Sequence, residues 1–213
     1  MVDKGYIIAV CGGPGTGKST LVHKLSDHYN AVSIFEGEDF PEKVKENLRD
    51  NKNQLESRLF FRNLLTKMHL EAERLKRLGK LVVMDTFWLT NNVYTETWLE
   101  HEFEKELMKE LYELDAQFLS MPDLMIILES DKDRVREFMM KRGRLFELSD
   151  SVLDRFVAAG GAHRDFFQRH INAYFIDRSK LDFHNDEHFK IVTDLIKEKL
   201  HITADASSNE RNT

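Results

Sequence analysis

The chain has 213 residues, of which 41% are hydrophobic and 32% are charged, a composition typical of a globular protein and unlike that of fibrous or disordered chains. Its net charge of −6 opposes binding to nucleic-acid polymers and anionic membranes. The single cysteine, Cys11, excludes an intramolecular disulfide, and no segment approaches the roughly 18 consecutive apolar residues of a membrane span. We expect one cytoplasmic domain over residues 1–203 and a disordered polar tail at 204–213.

Short apolar runs rich in β-branched and aromatic residues predict five strands, at 6–10, 31–35, 81–84, 124–128 and 173–176. The runs are continuous rather than alternating, as in parallel strands covered on both faces. Segments with apolar spacing near three and four predict helices at Ser19–Asp27, about Leu55–Leu78, about Leu99–Leu119 and Lys132–Lys141. With a final helix after the last strand, this order predicts an α/β fold: a doubly wound five-stranded parallel sheet flanked by helices.

The predicted helix at 99–119 carries an apolar stripe within a strongly charged sequence. The stripe consists of Phe103, Leu107, Leu111, Leu114 and Phe118. It fits either an interface with a second copy or a contact with the sheet. We expect it to pack in the core.

The first strand is followed by the complete phosphate-loop pattern G-x-x-x-x-G-K-[ST], and a helix pattern follows in turn. Glycines let backbone N–H groups turn towards phosphate, and the helix N-terminus adds its positive end. The alternative, a glycine-rich turn without a ligand, is disfavoured by this context. We predict that Lys18 contacts the β and γ phosphates and that Ser19 ligates Mg²⁺. The predicted ATP-binding residues of this loop are Gly12, Gly13, Pro14, Gly15, Thr16, Gly17, Lys18, Ser19 and Thr20.

Two carboxylates follow predicted strands directly, at the edge where doubly wound sheets bind ligands. Asp85, after the third strand, is predicted to hold Mg²⁺. Glu36, after the second, is predicted to accept the proton of an acceptor hydroxyl and to bind that substrate. The alternatives are a helix N-cap at Asp85 and a solvated loop charge at Glu36.

The stretch "KRGRLFE" at 141–147 ends a predicted helix with two arginines around a glycine. Mobile arginines stabilise the charge that spreads over a phosphoryl group during its transfer. We predict that Arg142 and Arg144 form a catalytic lid. A solvated charge run at a helix end is the alternative.

Several pieces in sequence order resemble the deoxynucleoside kinase family, in particular bacterial deoxyadenosine and deoxyguanosine kinases, over about residues 5–200. They are "GGPGTGKST", "IFEGEDFPEKVKENL", "LFFRNLLTKM", "LVVMDT", "PDLMIIL", "KRGRLFE" and "YFIDRSKLDF". The resemblance implies a P-loop kinase fold and Mg-ATP-dependent phosphorylation of the 5′-hydroxyl of a deoxynucleoside. It also implies that a homodimer is possible.

The same resemblance extends the set of candidate site residues. It implies that Asp182 and Phe183 lie against the base of the phosphate donor and that Glu147 lies near the sugar hydroxyl. For the family's base-reading glutamine it leaves Arg58, Arg62 and Asn63 open. We take Arg62 as the candidate substrate-binding residue.

Two departures from the family bear on the substrate. Thr86 stands where the family has an arginine, and Gly37 stands where a proline usually follows the glutamate. Two other functions therefore stay open: a P-loop kinase for another acceptor, such as a nucleoside monophosphate or a ribosyl compound, and a nucleotide-binding protein without catalysis. Arginines at 58 and 62 suit the monophosphate.

Overall fold

The computed structural model describes residues 4–37, 40–142 and 150–202, without the side chains of 142, 150 and 151. Several predictions therefore lie outside the described residues. These concern Arg144, Glu147, the side chain of Arg142 and the tail at 204–213.

All five predicted strands are present and form one parallel sheet. Their bounds are β1 Tyr6–Gly12, β2 Val32–Ile34, β3 Leu81–Asp85, β4 Leu124–Glu129 and β5 Ala173–Asp177. The strand order is β2-β3-β1-β4-β5, and every neighbouring pair runs parallel. The predicted doubly wound five-stranded sheet is confirmed.

Eight helices occur among the described residues. Their bounds are α1 Lys18–Tyr29, α2 Glu42–Asp50, α3 Gln54–Arg77, α4 Thr90–Trp98, α5 Glu102–Asp115, α6 Lys132–Arg142, α7 Asp150–Phe167 and α8 Asp186–Leu200. Apolar spacing did not predict α2, α4 or α7. The sequence of α4, TNNVYTETW, is rich in weak helix formers, so its contacts with α3, α5 and α7 must stabilise it. In the described ranges, none of the helices has the length and hydropathy needed to span a bilayer.

Successive side chains of the central strands enter two separate cores. Ile7, Ala9 and Cys11 of β1 pack with α3, α4, α5 and the end of α7, whereas Ile8 and Val10 pack with α1 and α8. Burial on both faces is the reason why the strands read as continuous apolar runs. It also raises the pKa of the thiol of Cys11, which packs in the first of these cores.

The expectation that the apolar stripe at 99–119 packs in the core is wrong for most of its residues. Phe103, Leu114 and Phe118 are 74%, 55% and 58% exposed. Helix α5 instead buries the face with Met108, Tyr112 and Asp115. The buried carboxylate of Asp115 is tolerated because Arg62 of α3 donates two hydrogen bonds to it, at 2.8 and 2.5 Å.

The chain changes sides of the sheet between β1 and β3. Helix α1 leaves β1 across one face, and α4 and α5 leave β3 across the other. A crevice forms beyond the carboxyl ends of two adjacent strands with such connections. The phosphate loop follows β1, and Asp85 ends β3, so both belong to this crevice.

Candidate active site

A cavity of about 700 Å³ opens at the carboxyl edge of the sheet. This volume is in the usual range for small-molecule sites. The phosphate loop, Glu36 and Asp85 all contribute to its lining. Two groups of residues line it besides the phosphate loop. The part lined by α6 and the loop after β5 is called here the donor compartment, after the predicted ATP site, and the part lined by α3, α4 and Phe156 of α7 the acceptor compartment.

The phosphate loop owes its shape to glycines that no other residue replaces easily. Gly12 has a φ of +137°, and a Cβ there would lie 2.4 Å from the carbonyl oxygen of Leu128. Gly17 has a φ of +86° at the start of α1. Lys18 Nζ donates to the carbonyl oxygens of Gly12 and Gly13 at 3.2 and 3.1 Å, which holds the amine against the loop.

Six of the nine predicted loop residues line the cavity: Pro14, Gly15, Gly17, Lys18, Ser19 and Thr20. The other three form the supporting turn behind them. In that turn the Thr16 hydroxyl donates to the carbonyl oxygen of Gly13 at 2.9 Å. The structure thus brings the predicted donor-binding residues together around one turn.

Ser19 and Asp85, the two predicted metal ligands, are in direct contact. Ser19 Oγ donates to Asp85 Oδ2 at 2.6 Å, and the carboxylate is only 5% exposed. Its other oxygen, Oδ1, has no hydrogen-bond partner among the described residues. The pair fits Mg²⁺, which takes a few protein oxygens and completes its shell with phosphate and water. In the same ranges, no three His, Cys, Asp or Glu side chains form a metal cluster.

Glu36 lines the cavity from the loop after β2. Its charge acts on two residues of the acceptor compartment. Burial raises the pKa of Tyr94 and the Glu36 charge raises it further, whereas burial lowers the pKa of Arg58 and the same charge partly offsets this decrease. The next residue, Gly37, has a φ of +81°. Proline, which fixes φ near −65°, cannot adopt this backbone. The departure at Gly37 therefore reflects a different course of the chain after the carboxylate.

Arg178 is a donor-side residue that sequence reasoning missed. It lies just after β5, is 1% exposed and lines the cavity. A Cβ on Gly17 would lie 3.3 Å from its Nε. In the described chain Nε and Nη1 have no hydrogen-bond partner, and Nη2 lies 3.7 Å from Asp182 Oδ1. Unpaired buried donors beside a phosphate loop are suited to bind an anion.

Aromatic rings and other cations surround Arg178. Its guanidinium lies 4.9 Å from the ring centroid of Phe138 and 4.4 Å from that of Phe183. Of the predicted pair, Asp182 lines the cavity, whereas Phe183 is fully buried beneath the arginine. Arg134 and Lys141 of α6 complete this side. Position in the chain was the available signal, because Arg178 lies at the carboxyl end of a strand, as Glu36 and Asp85 do.

Arg58 of α3 is the corresponding arginine of the other compartment. It is 3% exposed and lines the cavity together with Phe61, Tyr94 and Trp98. Its guanidinium carbon lies 5.1, 5.3 and 5.0 Å from these three ring centroids. Burial lowers the pKa of Arg58 to about 10, so it is charged at neutral pH.

The structure does not bring Arg62 to this cavity. One helical turn beyond Arg58, its guanidinium faces α5 and pairs with Asp115. The reason is the helical period, since a residue four positions along α3 is displaced by about 40° around the axis. Arg58, which the resemblance had left as an alternative, lies there instead.

Thr86, which stands in the place of the family's arginine, also lines the cavity. Its φ is +67°, an outlier for a β-branched residue. The Thr86 and Thr90 hydroxyl oxygens are 2.5 Å apart, and Thr90 Oγ1 donates to the carbonyl oxygen of Phe87. Strained backbone of this kind is concentrated at functional sites.

Comparison with known proteins gives a family and a likeness of fold. A family model described as an AAA domain matches residues 7–158. No curated protein sequence matches the chain. The fold is similar to that of deoxyadenosine kinase from M. mycoides with bound dATP, with a TM-score of 0.75 at 16% identity over 90% of this chain and 99% of that one.

Two other solved structures share the fold. Thymidylate kinase from Candida albicans has a TM-score of 0.68 at 15% identity and covers 92% of each chain. The NadR protein in complex with NR has a TM-score of 0.64 at 16% identity, over 95% of this chain and 52% of that one. The predicted resemblance to deoxynucleoside kinases is confirmed as a likeness of fold.

Proposed function

Since the chain belongs to the AAA domain family that this model describes, and its fold is that of P-loop kinases, we propose that it transfers the γ-phosphate of ATP to the 5′-hydroxyl of a nucleoside. One observation carries the proposal. A phosphate loop, a Ser–Asp pair and a carboxylate line the same cavity, and a compartment with aromatic walls continues from them. Such a compartment suits a planar base.

The donor half of the cavity would bind the triphosphate. Backbone N–H groups of the loop and the N-terminus of α1 attract its oxygens. Lys18 would exchange its contacts with the loop carbonyls for the β and γ phosphates. Ser19 and Asp85 would hold Mg²⁺, which, when bound, neutralises phosphate charge. Arg178 would add donors beside Gly17, and Asp182 would border the base of ATP.

Glu36 would supply the acid–base chemistry. As the acceptor oxygen forms its bond to the γ-phosphorus, the bond from that phosphorus to the β–γ bridging oxygen breaks and ADP leaves. The hydroxyl proton passes to the Glu36 carboxylate. The predicted lid arginines, Arg142 and Arg144, would stabilise the charge on the moving group, and Glu147 would bind the sugar.

Turnover of a panel of acceptors tests this proposal. ADP formation from Mg-ATP would be measured with deoxynucleosides, ribonucleosides and their monophosphates, for the wild type and Glu36→Gln. We expect acceptor-dependent turnover that falls by about 10² in the variant, because glutamine keeps the shape but cannot accept the proton. ATP binding of both proteins, followed by calorimetry, is the control and should be equal.

A nucleoside monophosphate is the second candidate acceptor. Arg58 is the residue that keeps it open, because a second phosphate needs a cation in the acceptor compartment. The panel separates the two, since turnover with monophosphates alone would select this alternative. ATP binding without turnover on any acceptor would instead favour a nucleotide-binding protein without catalysis. Cytoplasmic location and a homodimer stay predictions.

A further inference from the structure

The acceptor compartment holds a buried cation where a neutral aromatic pocket would suffice. Arg58 lies among the rings of Phe61, Tyr94 and Trp98, each about 5 Å from the guanidinium carbon. A buried charge is costly unless an opposite charge or a ligand pairs with it. Rings at this distance stabilise a guanidinium only partly. What Arg58 binds therefore bears on the substrate, an inference that rests on the proposed function.

Hydrogen bonding uses only part of Arg58. Nη1 donates to Asn91 Oδ1 at 3.2 Å, and Asn91 Nδ2 donates back to the carbonyl oxygen of Arg58 at 2.8 Å. This exchange fixes the amide of Asn91 and one corner of the guanidinium. On the remaining edge, Nε is buried and has no partner in the part of the chain that the structure describes. An unpaired buried donor favours a ligand that brings an acceptor atom.

The surroundings of Arg58 favour a planar acceptor group over a phosphate. A monophosphate carries close to two negative charges, and Arg58 is the one arginine or lysine among the described residues on this side of the cavity. The Glu36 carboxylate acts on the same guanidinium and would repel a dianion. A flat ring, in contrast, fits between aromatic walls and can meet the edge of a guanidinium in its own plane.

We propose that Arg58, oriented by Asn91, selects acceptors whose ring presents a carbonyl or carboxylate oxygen, and that it discriminates against rings with an amino group or a positive charge at that edge. A guanidinium is a donor only, so an exocyclic amine facing it leaves two donors opposed. An oxygen facing it accepts, and where an unprotonated ring nitrogen lies beside that oxygen, as N7 does in a 6-oxopurine, the two atoms accept from the two arms of the fork. Arg58 is in this sense a specificity-determining residue.

Matched pairs of acceptors test the inference directly. Inosine and adenosine differ at one edge of the purine, an oxygen beside N1–H against an amine beside an unprotonated N1, and uridine and cytidine differ in the corresponding way at C4 and N3. The ratio of kcat/KM within each pair is measured with saturating Mg-ATP, for ribosides and deoxyribosides. We expect the oxygen-bearing member to be favoured by about tenfold or more in the wild type, the size of one good bidentate contact.

Two variants and one control separate base recognition from packing. Arg58→Gln offers both a donor and an acceptor and should bring the ratios within about threefold of unity. Arg58→Lys keeps the charge but loses the fork and should lower the ratios less. Arg155→Lys is the matched control. Arg155 also lies over the Trp98 ring, at 5.4 Å, yet it is not part of the cavity lining, so the wild-type ratios should persist.

Each outcome bears on the inference. A wild-type preference for adenosine and cytidine overturns it, as does a preference that Arg58→Gln leaves intact. Equal loss of preference in Arg155→Lys would assign the effect to aromatic packing and overturn it too. If neither Arg58 variant folds, the wild-type ratios alone decide. Turnover with nucleosides but without the predicted preference refutes only this inference, whereas no turnover with any acceptor refutes the proposed function and the inference with it.

Discussion

Arg178 and Arg58 show that the two halves of the cavity are built alike. Each arginine is almost completely buried, each lies within about 5 Å of aromatic rings, and each has a nitrogen without a partner among the described residues. Their surroundings differ, because Arg178 adjoins a loop that binds phosphate in many proteins, whereas Arg58 adjoins side chains that belong to no such shared motif. Under the proposed function, the donor half thus follows a widespread pattern and the acceptor half holds the information about the substrate.

The largest effect should come from the donor half. Lys18→Ala removes the charge that contacts the β and γ phosphates in the proposed function, and we expect kcat to fall by about 10² to 10³, the range for loss of one donor to transition-state charge. Acceptor binding should persist because Lys18 belongs to the other half. Single-turnover kinetics with the best acceptor measures both. A decrease in kcat of less than threefold would show that this loop takes no part in phosphate transfer.

A smaller effect, confined to one substrate, should follow from Arg178→Met. Loss of a charged hydrogen bond weakens ATP binding by about tenfold or more, while the KM of the acceptor stays the same. Without ATP the variant should melt at or above the wild-type temperature, because the change removes two unpaired buried donors and keeps an unbranched side chain. Calorimetric titration and thermal melts check the two parts. Unchanged ATP affinity would make Arg178 a packing residue.

Arg178→Met and the Arg58 variants together sharpen the comparison. If the halves are independent, Arg178→Met changes only the affinity for ATP, and the Arg58 variants change only the acceptor preference. The double variant then shows the sum of the two effects, expressed as free energies. If the double variant departs from this sum by more than about threefold, the donor and acceptor sites interact through the phosphate loop.

The smallest effect is on stability, at the boundary between the halves. Asparagine tolerates the left-handed backbone better than threonine. Thr86→Asn should therefore raise the free energy of unfolding by up to about 1 kcal/mol, as measured in urea. Thr90→Ser, which keeps the hydroxyl contact with Phe87, is a control and should not be stabilised. A destabilised Thr86→Asn would show that relief of the φ of +67° is worth less than the lost hydroxyl contact with Thr90.

The sequence indicated the position of most donor-half residues, Arg178 excepted, because they are contiguous or lie at the ends of strands. The strand bounds agreed within two residues, and the Ser19–Asp85 contact follows from the parallel pairing of β1 with β3. The residues of the acceptor half could not be predicted from contiguous motifs or strand ends. Its residues come from α3, α4 and α7, and only the packing of these helices decides that Arg58 rather than Arg62 enters the cavity. Likewise, the exposed side of α5 depended on the buried Arg62–Asp115 pair, which no periodicity indicates.

Cys11 makes this protein convenient for site-specific spectroscopy. It is the single cysteine of the chain and is fully buried in β1, where the raised pKa of its thiol disfavours the reactive thiolate. A cysteine introduced at the exposed Met140 of α6 would be the one site that maleimide dyes reach in the native protein. The emission of such a dye would report the titration with ATP in a protein whose other residues are all native. No native thiol would have to be removed first.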